Sequence, residues 1–166
     1  MSEFFPTDYT PAAGGGDQPF VKIKDESRLR VLQPPFIYFQ GWKEVDGKPK
    51  PVRSLTPFPS GETWKEAPKQ VVGLFVWDYN EDRVGFWEVP QAGIQRELYN
   101  LSKDADFGDP RQYDIKVSKT GSGKETKYSL RPMPPRAVPS IVQAAWEEAL
   151  PKIDMQGYID GKALFV

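Results

Sequence analysis

The chain has 166 residues, 39% hydrophobic and 27% charged, with no cysteine and no histidine. Those absences exclude disulfides, thiol chemistry, Cys/His zinc sites and any serine or cysteine hydrolase that relies on an imidazole base. The formal charge of −1 divides unevenly, as −3 over residues 1–19, +4 over 20–136 and −2 over 137–166, a basic middle between acidic ends that suits a nucleic-acid binder.

Residues 1–19, rich in Pro, Gly and Thr and ending in Gly14-Gly15-Gly16, read as a flexible arm that carries Phe4-Phe5. They lack the basic start and apolar stretch of a signal peptide, so the expected location is the cytoplasm. No run approaches about 18 apolar residues, so no membrane partner is expected. From Phe20 the period becomes two: VKIK and RLRVL alternate apolar with basic, as a half-buried strand does. Pro34-Pro35 bends that strand, and FIYFQGW continues it. Residues 43–70 are proline-rich and weakly periodic, which predicts a long loop whose Trp42 flank and Trp64 sit among lysines such as Lys43.

VVGLFVWDYNEDRVGFWEV then predicts a hairpin turning at Asn80-Glu81-Asp82. Ile94, Leu98 and Leu101 recur at helical spacing. YDIKVSK and TKYSLRP alternate on either side of Gly-Ser-Gly-Lys-Glu, a segment that superficially resembles a phosphate-binding loop. A P-loop would need glycine at position 118 and a hydroxyl at 125, but Ser118 and Glu125 stand there, and a strand follows where a helix is required. The segment is therefore a hairpin turn. PSIVQAAWEEALPKI predicts a C-terminal helix.

The expected fold is mainly β: a five-stranded OB-fold barrel with a helix between the third and fourth strands and a C-terminal helix. Residues 1–19 form the arm, 20–136 the barrel with its loop at 43–70, and 137–166 the C-terminal helix and tail. Other five-stranded barrels and open α+β sheets share the same element order.

Strand alternation sends successive side chains to opposite faces. With the aliphatic rows inward, the outward rows combine Arg28, Arg30, Arg83, Lys116, Lys127 and Arg131 with Phe75, Trp77, Tyr79 and Trp87. Tyr38, Trp42, Lys43, Trp64 and Lys119 complete the expected nucleic-acid-binding set. Cations that track a backbone, interleaved with rings that stack on bases, suit single-stranded nucleic acid. The competing structural expectation is that the rings pack beneath the long loop or the C-terminal helix.

The stretches VKIKDESRLRVLQPP, PQAGIQRELYNLSKD and YDIKVSKTGSGKETKYSLRPMPP, in that order, resemble bacteriophage single-stranded DNA-binding proteins of the helix-destabilising, T-even-like type. Tyr113-Asp114-Ile115, the Gly-x-Gly turn and Tyr128-x-Leu-x-Pro carry the most recognisable part, and the resemblance spans roughly residues 20–135. It implies an OB-fold, sequence-independent binding and protection of single-stranded DNA, and roles in phage replication, recombination and repair. Its implied partners are ssDNA, neighbouring copies on that DNA and phage replication proteins. The chain departs from the prototype: without Cys or His it cannot form the zinc site, and it more closely resembles a compact zinc-free version of this type from an enterobacterial tailed phage. Its arm is acidic and aromatic where the prototype's is basic, and its end carries only sparse acids.

No catalytic residues, metal or cofactor are expected. Asp104, Asp106 and Asp109 lie where a helix exits, where acids serve as caps and turn formers. Asp78, Glu81 and Asp82 sit at a hairpin tip, and Glu147-Glu148 on a helix surface. The alternatives are a protein–protein adaptor or structural phage protein on the same barrel, and an RNA binder, since stacking ignores the sugar.

Overall fold

A computed structural model describes residue 4 and residues 20–59 and 64–166. The expected arm, apart from Phe4, and the tip of the 43–70 segment at 60–63 lie outside the described residues. Among the described residues, seven strands run in order with three α-helices: β1 (Glu26–Val31), β2 (Phe36–Val45), β3 (Lys48–Ser54), β4 (Trp64–Asp78), β5 (Arg83–Val89), α1 (Ala92–Lys103), β6 (Asp114–Thr120), β7 (Lys127–Pro132), α2 (Ser140–Ala149) and α3 (Met155–Ile159). All pair antiparallel in one sheet ordered β3-β2-β4-β1-β6-β7, with β5 on β4 outside that path.

The 15-residue β4 organises the sheet. One of its edges takes β2 as far as Gly73 and β1 from Val76; its other edge takes β5 from Val72 to Asp78. The change of partner falls at Pro34-Pro35, which carry no N–H for a ladder. Leu32 N–H bridges the gap by donating to Phe75 O at 2.9 Å. Gly73 lets the layers close up there: a Cβ would stand 2.4 Å from Phe86 Cζ.

Three expectations need correction. The VKIK segment is not a strand; Phe20 makes one parallel bridge to Phe86, and the chain enters β1 only at Glu26. Much of 43–70 is not loop, because β2 runs on to Val45, β3 returns from Lys48, and β4 begins at Trp64. The cause is Asp46-Gly47, whose φ values of 53° and 75° form the two-residue left-handed turn that matches strand twist. Pro49 and Pro51 sit in β3, an edge strand, where a missing donor is tolerated. Finally, the sheet has seven strands and is not closed into a barrel by hydrogen bonds, since β7 pairs with β6 alone.

Each face of the sheet carries a core. On one, Leu29, Val31, Leu74, Val76, Trp87, Val89, Ile115 and Val117 pack with Ile94 and Leu98 of α1. On the other, Tyr38, Val71, Phe75, Trp77, Val84 and Phe86 pack with Val142 and Trp146 of α2 and with Tyr158 and Ile159 of α3. Residues 137–166 are thus half of a core and not a tail. Among the described residues no helix is long and apolar enough to cross a membrane.

Candidate nucleic-acid interface

The expected outward face divides into a covered half and an open half. Phe75, Trp77 and Tyr38 share the face of Arg28 and Arg30, as alternation requires, since Arg30 lies opposite Trp77. However, α2 and α3 cover that half: Tyr38 and Phe75 are 0% exposed and Trp77 7%. Phe75 is ringed by Phe36, Phe86, Trp146 and Phe165, with centroids 4.8 to 5.9 Å away. Tyr38 donates its hydroxyl to Glu88. These three rings are core, not stacking platforms, because aromatic area buried between a sheet and a helix stabilises more than exposure allows.

Trp87 is buried too, but on the opposite face. The β4–β5 register sets Leu74 opposite Trp87 and Trp77 opposite Val84, so the parity expected for β5 is inverted. The turn between Asp78 and Arg83 fixes that register, and a shift of one residue flips every side chain. Arg83 stays exposed at the start of β5. Arg30 is 1% exposed and belongs to the interior.

The open half is basic. Arg28 on β1 lies opposite Lys116 on β6, which lies opposite Arg131 on β7. Cross-strand partners share a face, so three cations form one row, and Lys127 joins them further along β7. Lys119 points the other way, opposite Tyr128. Lys116 Nζ is 3.6 Å from Glu26 Oε1.

Beside the row lies a buried carboxylate, Asp114, 1% exposed. Its Oδ2 accepts from Arg28 Nε and Nη2 at 2.9 and 2.7 Å, and Arg136 Nη2 is 2.9 Å away. Its Oδ1 accepts from Arg30 Nη1 at 3.3 Å and from the Tyr79 hydroxyl at 3.1 Å. Burial raises the cost of this charge, but hydrogen bonds from Arg28, Tyr79 and Arg30 outweigh it and hold the carboxyl below the usual carboxylate range. Three guanidinium groups surround one carboxylate, so positive charge is in excess. Arg28 and Arg136 both lie over the Tyr79 ring, at 5.3 and 5.8 Å from its centroid.

A second basic and aromatic cluster lies at the far end of the strand order, on the β3-β2-β4 ribbon, and by alternation along β2 it occupies the face opposite to the Arg28 row. Lys43 sits opposite Lys50 and opposite Trp64, with its Nζ 5.5 Å from the Trp64 ring. Phe58 packs against Trp64 at 5.5 Å. Trp42, half-buried, lies across from Pro51. The expected binding set left out Lys50, Asp114 and Arg136. Lys50 was read as one of the lysines of a long loop because the Asp46-Gly47 turn went unread. Asp114 shares the parity of Lys116 and was open to the same alternation. Arg136 follows β7 in a proline-rich segment with no periodicity to read.

Among the described residues no group of three or more acidic side chains is arranged to hold a metal ion. No protein-family model, curated protein or solved structure matches this chain.

Proposed function

We propose that this protein binds single-stranded DNA without sequence preference, as a non-enzymatic coating protein of phage replication, recombination and repair. The observation that carries this reading is that cations oppose cations at Arg28–Lys116 and Lys116–Arg131, on one face of the sheet. Like charges directly opposite on a sheet are destabilising, by up to about 1 kcal/mol for each pair. A polyanion laid across them turns the repulsion into attraction and releases its own counterions. Trp64 and Phe58 supply ring faces for bases on the opposite face of the ribbon. In this reading the sheet is a variant OB-fold. The bent β1–β2 segment serves as first strand, β4 and β5 follow, α1 precedes β6 and β7, and the β2–β3 hairpin enlarges the first loop.

Fluorescence anisotropy of a labelled oligo-dT over a salt series tests it. Affinity should fall with salt by about 0.7 log units per log unit for each phosphate contacted. Replacing Arg28, Lys116 and Arg131 together by Gln should lower that slope by about 2. No binding at low salt, or an unchanged slope, would reject the proposal. The same titration with oligo-U separates DNA from RNA. A protein-binding role has one observation in its favour: an apolar groove of about 780 Å³ between α1 and the Pro34-Pro35 bend, floored by Val31, Ile37, Val72 and Leu74. It predicts indifference to both oligonucleotides.

A further inference from the structure

We propose that Arg28 and Arg136 form a phosphodiester-binding subsite, with the buried Asp114 as the positioning residue that holds both guanidinium groups beside Tyr79. This rests on the nucleic-acid reading and names the place where one phosphate is gripped.

A guanidinium is planar and offers five N–H donors in a fixed fork. Arg28 commits Nε and Nη2 to Asp114, which leaves the Nη1 side of the fork for a ligand. Arg136 commits Nη2 to Asp114 and to the Tyr79 hydroxyl, at 2.9 and 2.8 Å, which leaves Nε and Nη1. Both side chains reach solvent, at 37% and 45% exposure, while Asp114 and Arg30 do not, at 1% each. The cluster is therefore layered, with one carboxylate and one arginine buried beneath two arginines that face outward.

Arg136 is also fixed through its backbone. Its N–H donates to Gln112 O at 3.1 Å, and its carbonyl accepts from Arg30 Nη2 at 2.7 Å. Arg30 reaches Arg111 O as well, at 3.0 Å, so its donors tie the segment after β7 to the start of β6. A cation whose main chain and side chain are both tied loses little freedom when it grips an anion. Asp114 neutralises one of three positive charges, enough to let them approach and too little to satisfy them. The carboxylate of Glu26 is paired with Lys116, next to Arg28 along the row. A phosphodiester, singly charged and with two free oxygens, matches the excess and the forked donors.

The sign of one substitution separates positioning from simple charge. Asp114→Asn adds one positive charge, so a site working by net charge alone would bind oligo-dT more tightly. A site that depends on the carboxylate to hold Arg28 and Arg136 would bind more weakly without a lower salt slope. The full chain is titrated with labelled oligo-dT as wild type, D114N, R28Q, R136Q and K162Q; Lys162 is an exposed cation outside the cluster. Circular dichroism checks that each variant is folded. R28Q and R136Q should each weaken binding about tenfold or more, against less than about twofold for K162Q. R136K, which keeps the charge and loses the fork, should recover only part of the loss. If D114N does not fold, the two arginine variants carry the test alone. Equal losses in R28Q, R136Q and K162Q, or tighter binding by D114N, would overturn the subsite and leave the ssDNA reading standing. If wild type binds no oligonucleotide, the ssDNA reading fails and inorganic pyrophosphate decides the subsite by thermal shift. A rise in Tm that R28Q and R136Q abolish supports it; no rise overturns it.

Discussion

Phe75→Ala distinguishes a core ring from a stacking ring. Phe75 is fully buried between β4 and α2, with four rings around it at 4.8 to 5.9 Å. Truncation removes the transfer free energy of the ring and leaves a cavity whose walls, being aromatic and held by two layers, collapse poorly. Buried Phe→Ala changes cost about 3–5 kcal/mol, and this site belongs near the upper end because four ring contacts go together. For a chain of this size that corresponds to a fall in Tm of roughly 10–15 °C. Thermal unfolding followed by circular dichroism reads the stability. Oligo-dT anisotropy, measured well below the variant's Tm, reads binding by the folded fraction. Since Phe75 faces no ligand, the affinity of folded protein should be unchanged. Phe75→Leu, which keeps most of the volume, should lose far less stability and serves where the alanine variant is too unstable to titrate. A variant with wild-type stability and an affinity loss of about 1–3 kcal/mol, the size of one stacked base, would refute the burial of this ring and return it to the interface.

Two glycines and one buried carboxylate give three further expected outcomes. Gly47→Ala meets no atom within 4 Å, so its cost is purely that of a side chain at φ 75°, roughly 1–2 kcal/mol; urea unfolding should detect it, and it should loosen the Lys43–Lys50 ribbon. Gly41→Ala would set a Cβ 2.4 Å from Trp64 Cζ3, so the indole must leave the strand, and tryptophan emission should shift while the two cores stay intact. Acid should weaken the fold through Asp114, whose folded pKa lies below the unfolded value of about 3.9. Its contribution is fully present above that value and is lost as pH falls through the lowered folded pKa. Urea midpoints between about pH 2 and 5 should therefore fall more steeply below about pH 4 for wild type than for D114N; parallel curves there would contradict the ion-pair geometry.

The elements that alternation and caps define were legible in the sequence: β1 after Glu26, the β4–β5 and β6–β7 hairpins, α1 and α2. The β2–β3 hairpin was missed although Asp-Gly is a strong hairpin signal, because prolines on either side masked the period of two. Those prolines are tolerated only because β3 is an edge, which is a property of the sheet and not of the segment. The face of Trp87 was lost for a related reason. Alternation gives relative parity within a strand, whereas parity between strands depends on where the turn sets the register. Membership of the site suffered most. Phe75 and Arg28 do share a face, but whether a helix from the C-terminal part of the chain, α2 at Ser140–Ala149, covers one and spares the other is decided by tertiary packing. Here α2 contacts β5 and α3 contacts β3, so the row on β1, β6 and β7 stays open among the described residues.

Strand cations have a competing explanation in edge protection. Charged side chains on an edge strand discourage pairing with another chain. That accounts for Lys127 and Arg131 on β7, and for Lys48 and Lys50 on β3, the two ends of the strand order. It does not account for Lys116, Arg28 or Lys43. These lie on β6, β1 and β2, each hydrogen-bonded to neighbours on both sides, where there is no edge to protect. Solubility would be served as well by acids, or by alternating signs that attract across the ladder. Each of these three interior cations has another cation as its direct cross-strand partner, while Arg28 and Lys116 also pair with the diagonal acids Asp114 and Glu26. An anionic ligand on the Arg28–Lys116 face is the competing cause, and polyanion titration of R28Q and K116Q against R131Q and K50Q separates the two. Edge protection predicts aggregation in the second pair and no change of affinity in the first. Ligand binding predicts weakened affinity in the first pair whatever happens at the edges.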